Sequence, residues 1–145
     1  MKLSALLCAA LMSGTALASG QPVLDVYKSP YCGCCGAWEQ HMAAAGFTVR
    51  SHPVQDVPAQ RQKLGMPEAY GSCHTARVGG YLIEGHVPAA DVQRLLAEQP
   101  AAIGLAVPGM PQGSPGMDSP RAQAYDTLLI RKDGRARVYQ HHPAR

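Results

Sequence analysis

The sequence predicts an α/β fold, with a mixed four-stranded sheet, flanking helices and a C-terminal β-hairpin extension. Three observations predict it. Short alternating apolar stretches rich in strand formers recur along the chain. Between them lie segments with helix propensity and helix stop signals. The chain has 145 residues, 46% of them hydrophobic, which is enough for one domain with a buried core.

The elements follow in order. Val23-Leu24-Asp25-Val26-Tyr27 alternates and is a first strand, broken by Ser29-Pro30-Tyr31. The Ala-rich stretch Ala37–Ala45 has helix propensity, with Gly46 as its stop. Phe47–His52 is a second strand. Residues 56–70 hold a short helix around Ala59–Leu64, ended near Gly65 and Pro67. Thr75–Val78 and Tyr81–Glu84 are third and fourth strands, joined by a Gly79-Gly80 turn. Pro88 opens a helix running to about Gln99, with Val92, Leu95 and Leu96 on one face. The first strand runs into a cysteine motif at a helix start, which is the layout of a thioredoxin-like domain over residues 22–100. Residues 103–120 contain four Pro and four Gly and are expected to form a loop without regular structure. A Pro/Gly/Met-rich loop is therefore assigned to 101–125. Lys132-Asp133-Gly134 between alternating runs predicts a hairpin over 126–142.

Residues 1–18 stand apart. Lys2 supplies a positive start, Leu3–Met12 an apolar run too short to span a bilayer, and Ala16-Leu17-Ala18 a cleavage site. This is the pattern of a secretory signal peptide, with a mature chain from Ser19 in the periplasm and no membrane insertion after cleavage. Cleavage removes Cys8, Met1 and Met12 and leaves four of the five Cys, four of the six Met and all six His. The net charge is +3, and only Arg131-Lys132 are adjacent among the basic residues, so no nucleic-acid partner is expected.

Cysteine in an oxidising compartment suggests structural disulfides by default. The spacing here argues otherwise. Cys32, Cys34 and Cys35 place three sulfurs within four residues, and the outer two have the redox C-x-x-C spacing. A helix N-terminus behind them stabilises thiolate. A Cys34–Cys35 bridge would be strained, and a Cys32–Cys35 bridge leaves Cys34 to reach Cys73. Cys73-His74 precedes the third strand, on the side expected to face the cysteine motif. A cis-proline usually occupies that loop in thioredoxin-like folds, but no Pro lies between Pro67 and Pro88. His86 follows the fourth strand and is a candidate ligand. Met110 and Met117 offer thioethers on the Pro/Gly loop, which suit Cu(I). Met42 and Met66 are core positions, His41 and His52 ordinary surface positions, and His141 and His142 a solvated tail. Thiolates with imidazole, and thioether besides, favour copper, with zinc a lesser alternative and an iron–sulfur cluster disfavoured outside the cytosol. Crowded thiolates bridge ions, so a multinuclear Cu(I) cluster is chemically natural.

Tyr27-Lys28-Ser29-Pro30 with Cys32-Gly33-Cys34-Cys35-Gly36-Ala37-Trp38, then Ser72–Ala76, Gly80–Ala89, Gly104–Pro111 and Gly113–Met117 resemble the CopG-type family of small periplasmic copper-resistance proteins. Several motifs match in order over nearly all the mature chain. The resemblance implies a thioredoxin-like fold and copper binding through Cys and His near the helix start. It also implies an association with copper-efflux and multicopper-oxidase proteins and, less directly, redox work on copper. The resulting metal-ligand set is Cys32, Cys34, Cys35, Cys73, His74, His86, Met110 and Met117, holding Cu(I) and supporting interconversion with Cu(II). Two other functions compete with it. One is a thiol–disulfide oxidoreductase using Cys32 and Cys35. The other is a module merely braced by disulfides. Turnover between Cu(I) and Cu(II) at the metal-ligand set would make the chain a copper-dependent oxidoreductase.

Overall fold

The computed structural model describes residues 22–144. The signal-peptide expectation for 1–18, with Cys8, Met1 and Met12, lies outside the described residues. Seven strands form one sheet in the order β2-β1-β3-β4-β5-β6-β7. They are β1 (Val23–Lys28), β2 (Thr48–Pro53), β3 (His74–Val78), β4 (Tyr81–Gly85), β5 (Ala102–Val107), β6 (Tyr125–Arg131) and β7 (Ala136–His142). The helices are α1 (Gly33–Ala44), α2 (Val57–Leu64) and α3 (Ala89–Glu98), with a 3₁₀ turn at Glu68–Tyr70. No described helix is long and apolar enough to cross a membrane.

The expected strand–helix–strand–helix–strand–strand–helix order is present. β1 and β2 pair in parallel across α1, and β3 is antiparallel to both β1 and β4. The β3–β4 turn places Gly79 and Gly80 at φ +54° and +85°, the backbone a tight two-residue hairpin needs. Asp56 caps α2 through a 2.9 Å bond from the Ala59 N–H, and Gly65 ends that helix in the left-handed region at φ +97°.

The sheet is larger than four strands. Residues 102–107, expected to lie in an irregular loop, form β5, which pairs in parallel with β4. The 126–142 hairpin then continues the same sheet through β5–β6 pairing. β5 is buried along most of its length, so its side chains do not alternate in polarity. Gly104 is required there, because a Cβ at this position would sit 1.7 Å from the Leu82 carbonyl oxygen.

Side chains from both sheet faces pack against helices. Ile83, Leu105 and Leu129 share the main core with Trp38 and Met42 of α1 and Val92 and Leu95 of α3. Leu82, Ala106 and Ile130 pack on the other side with Met66, against Leu64 and Tyr70. Met42 and Met66 are core residues, as their sequence settings imply.

Three histidines depart from expectation. His41 is not an ordinary surface residue, because its Nε2 accepts the Ala89 N–H at 3.0 Å. It thus satisfies one of the unpaired N–H groups at the start of α3. His141 and His142 are not a solvated tail but the end of β7. His142 stacks on Tyr125 with centroids 4.5 Å apart and lies 3.0 Å from Asp91 Oδ2. The exposed His141 pairs with Asp126 at 2.7 Å. A strand long enough to reach Tyr125 brings both histidines into the sheet.

Candidate metal centre

The helix α1 begins earlier than the Ala-rich stretch implies. Cys32 is its N-cap residue, and Gly33, Cys34 and Cys35 form its first turn. The Cys32 N–H donates to the Ser29 carbonyl at 3.1 Å, which turns the chain out of β1. No acidic residue occupies this first turn, so the positive end of the helix dipole faces the sulfurs. Cys35, Trp38 and Met42 are the buried residues of α1, at helical spacing on one face.

Cys32 and Cys35 form a disulfide with Cα atoms 5.3 Å apart. Cys34 and Cys73 are free and half-buried. The Cys32 and Cys34 sulfurs are 3.5 Å apart. Cys35 Sγ lies 3.7 Å from the Cys73 carbonyl oxygen. All four sulfurs lie within 4.8 Å of one another, so that with the disulfide reduced they form a group that could hold a metal ion.

Cys73 belongs to a second group with His74 and His86, again within 4.8 Å. The β3–β4 register explains the pairing. Thr75 stands opposite Glu84, so continuing outward places Cys73 across from His86. Cys73 Sγ is 2.9 Å from His86 Nε2 and 3.5 Å from His74 Nδ1. His86 Nδ1 is 2.7 Å from the Pro115 carbonyl oxygen. A carbonyl only accepts, so Nδ1 carries the proton and Nε2 presents its lone pair to Cys73.

Burial governs the protonation of all three groups. It pushes the Cys73 thiol up to about 12, with Cys34 adding to the rise and the Ser72 hydroxyl opposing it. It lowers His74 to about 3, helped by His86 and Lys28 and opposed by the Gly85 carbonyl. It also lowers His86, against the pull of the Pro115 carbonyl. At neutral pH the group is therefore a thiol facing two neutral imidazoles. A metal ion binding here displaces the thiol proton.

The His74 ring packs on Trp38 with centroids 4.3 Å apart, and Trp38 Nε1 donates to the Val87 carbonyl at 2.8 Å. One tryptophan thus ties α1 to the segments bearing both imidazoles.

The loop after β5 closes on this arrangement. Gly113 N–H donates to the Met117 carbonyl at 2.7 Å, and Ser114 Oγ to the Pro111 carbonyl at 2.7 Å. Gly116, at φ +84°, lies against α1, and a Cβ there would meet the Cys34 carbonyl oxygen at 2.7 Å. Met117 is the next residue and is half-buried. Met110 is 50% exposed and follows Gly109, whose N–H donates to Gly71 at 3.2 Å.

Of the sequence-derived candidates, the structure thus brings the four cysteines, His74 and His86 together. It places Met110 and Met117 on the neighbouring loop. Sequence reasoning missed Pro115, which acts through its backbone carbonyl and has no side-chain signature.

Residues 70–117 match the family described as protein of unknown function, DUF411. That span carries Cys73, His74, His86, Met110 and Met117. Two solved structures of copper resistance protein CopG, forms 2 and 1, superpose with TM-scores of 0.81 and 0.79. Each is 43% identical in sequence and covers 85% of this chain and 99% of its own. This chain belongs to the CopG family. A comparison with curated proteins finds no match. CopG membership matches the resemblance carried by the cysteine, Cys-His and Gly-Met-Pro motifs.

Proposed function

We propose that this chain is a periplasmic copper-binding protein of copper resistance. It captures Cu(I) through Cys32, Cys34, Cys35 and Cys73, with His74 and His86 as imidazole donors. One observation carries this reading: Cys73 is common to the four-sulfur group and to the Cys-His-His group. A shared, bridging thiolate is the donor a multinuclear Cu(I) cluster needs, and soft sulfur with imidazole suits copper. The copper-resistance relatives support the same ion over zinc.

The disulfide gives the site a redox dimension. Two Cu(II) ions can each take one electron from the reduced Cys32/Cys35 pair. The products are two Cu(I), one disulfide and two released protons, which leaves Cys34, Cys73 and the imidazoles as the donors for the Cu(I) formed. Met110 and Met117 are proposed as thioether donors on the adjoining loop. Copper-efflux or multicopper-oxidase proteins are the proposed partners, and residues 1–18 are the proposed secretory signal. A thioredoxin-like core over residues 22–100 is part of the same proposal.

The test is an anaerobic titration of the reduced protein with Cu(I) held by a chromogenic chelator. Transfer of copper from chelator to protein is expected, and no transfer contradicts the reading.

A second reading is favoured by the Cys32–Cys35 disulfide at a helix start. It is a thiol–disulfide oxidoreductase. Insulin reduction by the metal-free protein, unaffected by replacing Cys34 or Cys73, would support it over copper binding.

A further inference from the structure

We infer that Arg61 and Glu84 are positioning residues for this site, their buried ion pair fixing the peptide that presents the Cys73 sulfur. The inference rests on the copper reading for its consequence in metal binding, and on geometry alone for its consequence at Cys73.

Arg61 lies on α2 and Glu84 on β4, at 2% and 0% exposure. Arg61 Nε donates to Glu84 Oε1 at 2.8 Å, and Nη1 to Glu68 at 2.7 Å. Its Nη2 donates to the Ser72 carbonyl at 2.6 Å. Glu84 Oε1 also accepts the Ser72 N–H at 2.7 Å, and Oε2 accepts the Thr75 hydroxyl at 2.5 Å. One ion pair therefore takes both backbone polar groups of Ser72. The carbonyl it holds belongs to the Ser72–Cys73 peptide, one residue from the sulfur.

Packing closes the remaining directions. Ser72 Oγ donates to the Gly109 carbonyl. A Cβ at Gly71 would stand 2.7 Å from Arg61 Nη1, so the guanidinium lies directly against that backbone. A Cβ at Gly85 would stand 2.6 Å from the Ser72 Cβ. Gly85 immediately precedes His86, so Ser72 packs against the strand end that carries the imidazole. The clamp thus sets the 2.9 Å spacing of Cys73 Sγ and His86 Nε2.

The mutual attraction of the two charges does not by itself account for such a pair. Desolvating two charges offsets most of their attraction, and apolar residues of similar volume often serve as well. An apolar pair here would leave the Ser72 N–H and C=O unpaired, and the Cys73 loop unanchored.

The experiment uses the full chain with R61K, E84Q and, as a stability control, L129A in β6. Glu84→Gln keeps an oxygen for the Ser72 N–H, so it reports if R61K fails to fold. Two quantities are read on folded, reduced protein: Cu(I) affinity by chelator competition, and the iodoacetamide alkylation rate of Cys73 relative to Cys34 by peptide mass spectrometry. R61K and E84Q are expected to weaken Cu(I) binding roughly ten-fold or more and to change the Cys73-to-Cys34 rate ratio. L129A is expected to change neither, even where its melting temperature falls as far. Wild-type affinity and ratio in R61K and E84Q would overturn the inference, as would equal losses in L129A. If the wild-type protein takes no Cu(I), the copper reading falls. The alkylation ratio then decides the positioning claim alone: a changed ratio upholds it and an unchanged ratio overturns it.

Discussion

Cys73 Sγ stands 2.9 Å from His86 Nε2, and the Pro115 carbonyl holds the opposite ring nitrogen at 2.7 Å. The sulfur, the imidazole and the loop thus form one chain of contacts, with the His86 tautomer fixed at its centre. Gly116, next to Pro115, can lie against α1 only because it lacks a side chain. Gly116→Ala is expected to lift the loop, free His86 Nδ1 and weaken metal binding by roughly ten-fold. Nitrogen NMR of the His86 ring checks the first effect by a mixture of tautomers replacing one, and chelator competition checks the second. A wild-type spectrum in the Ala variant would refute the role given to the loop.

The Cys32–Cys35 disulfide occupies two of the four clustered sulfurs. Oxidised protein is expected to take up less Cu(I) than reduced protein, because, of the four clustered sulfurs, only Cys34 and Cys73 remain as thiols. Parallel anaerobic titrations of the two forms make the comparison. Equal uptake would mean that Cys32 and Cys35 are not ligands.

His41 supplies a pH-dependent contribution to stability. Burial lowers its pKa below the ordinary 6.5, with Asp118 opposing. Its Nε2 accepts the Ala89 N–H only while unprotonated. A folded pKa below the unfolded one means that this contribution is fully present above about pH 6.5. It is lost as the pH falls through the folded value. Glutamine accepts a hydrogen bond without titrating in this range. The wild-type melting temperature should therefore drop relative to His41→Gln on acidification from pH 7.5 to 5, in assays at about those values. The lost cap is worth about 1 kcal/mol. Parallel curves for the two proteins would show that His41 makes no pH-dependent contribution to stability.

Much of the site was legible in the sequence because it is local. Cys32, Cys34 and Cys35 share one helical turn, and Cys73-His74 and His86 flank a recognisable hairpin. What was missed depends on contacts between distant residues. β5 has a Gly in its middle, Pro108 just beyond its end and a Pro/Gly-rich stretch after it. Those features look like a loop, whereas its burial requires a strand without alternation. His142 is a strand residue because Asp91, far back in the chain, and Tyr125 receive its ring. Pro115 contributes a carbonyl, which every residue type has.

Gly104 offers a test of the corrected fold. Its missing Cβ lets the β4 backbone approach, with the Leu82 carbonyl oxygen 1.7 Å from where that atom would stand. Gly104→Ala is expected to destabilise the protein by about 3 kcal/mol or more, because backbone on both strands must move. Urea denaturation measures it. A loss below about 1 kcal/mol would show that β5 does not pair closely with β4.

Cys73 is proposed to bridge two donor groups. The most direct test is the Cu(I) stoichiometry and affinity of reduced Cys73→Ser beside reduced Cys34→Ser, measured by anaerobic chelator competition. Cys34 belongs only to the four-sulfur group, whereas Cys73 belongs to both. Cys73→Ser is expected to lose more bound copper and more affinity than Cys34→Ser. A Cys73→Ser protein that binds copper like wild type, or no worse than Cys34→Ser, would contradict it.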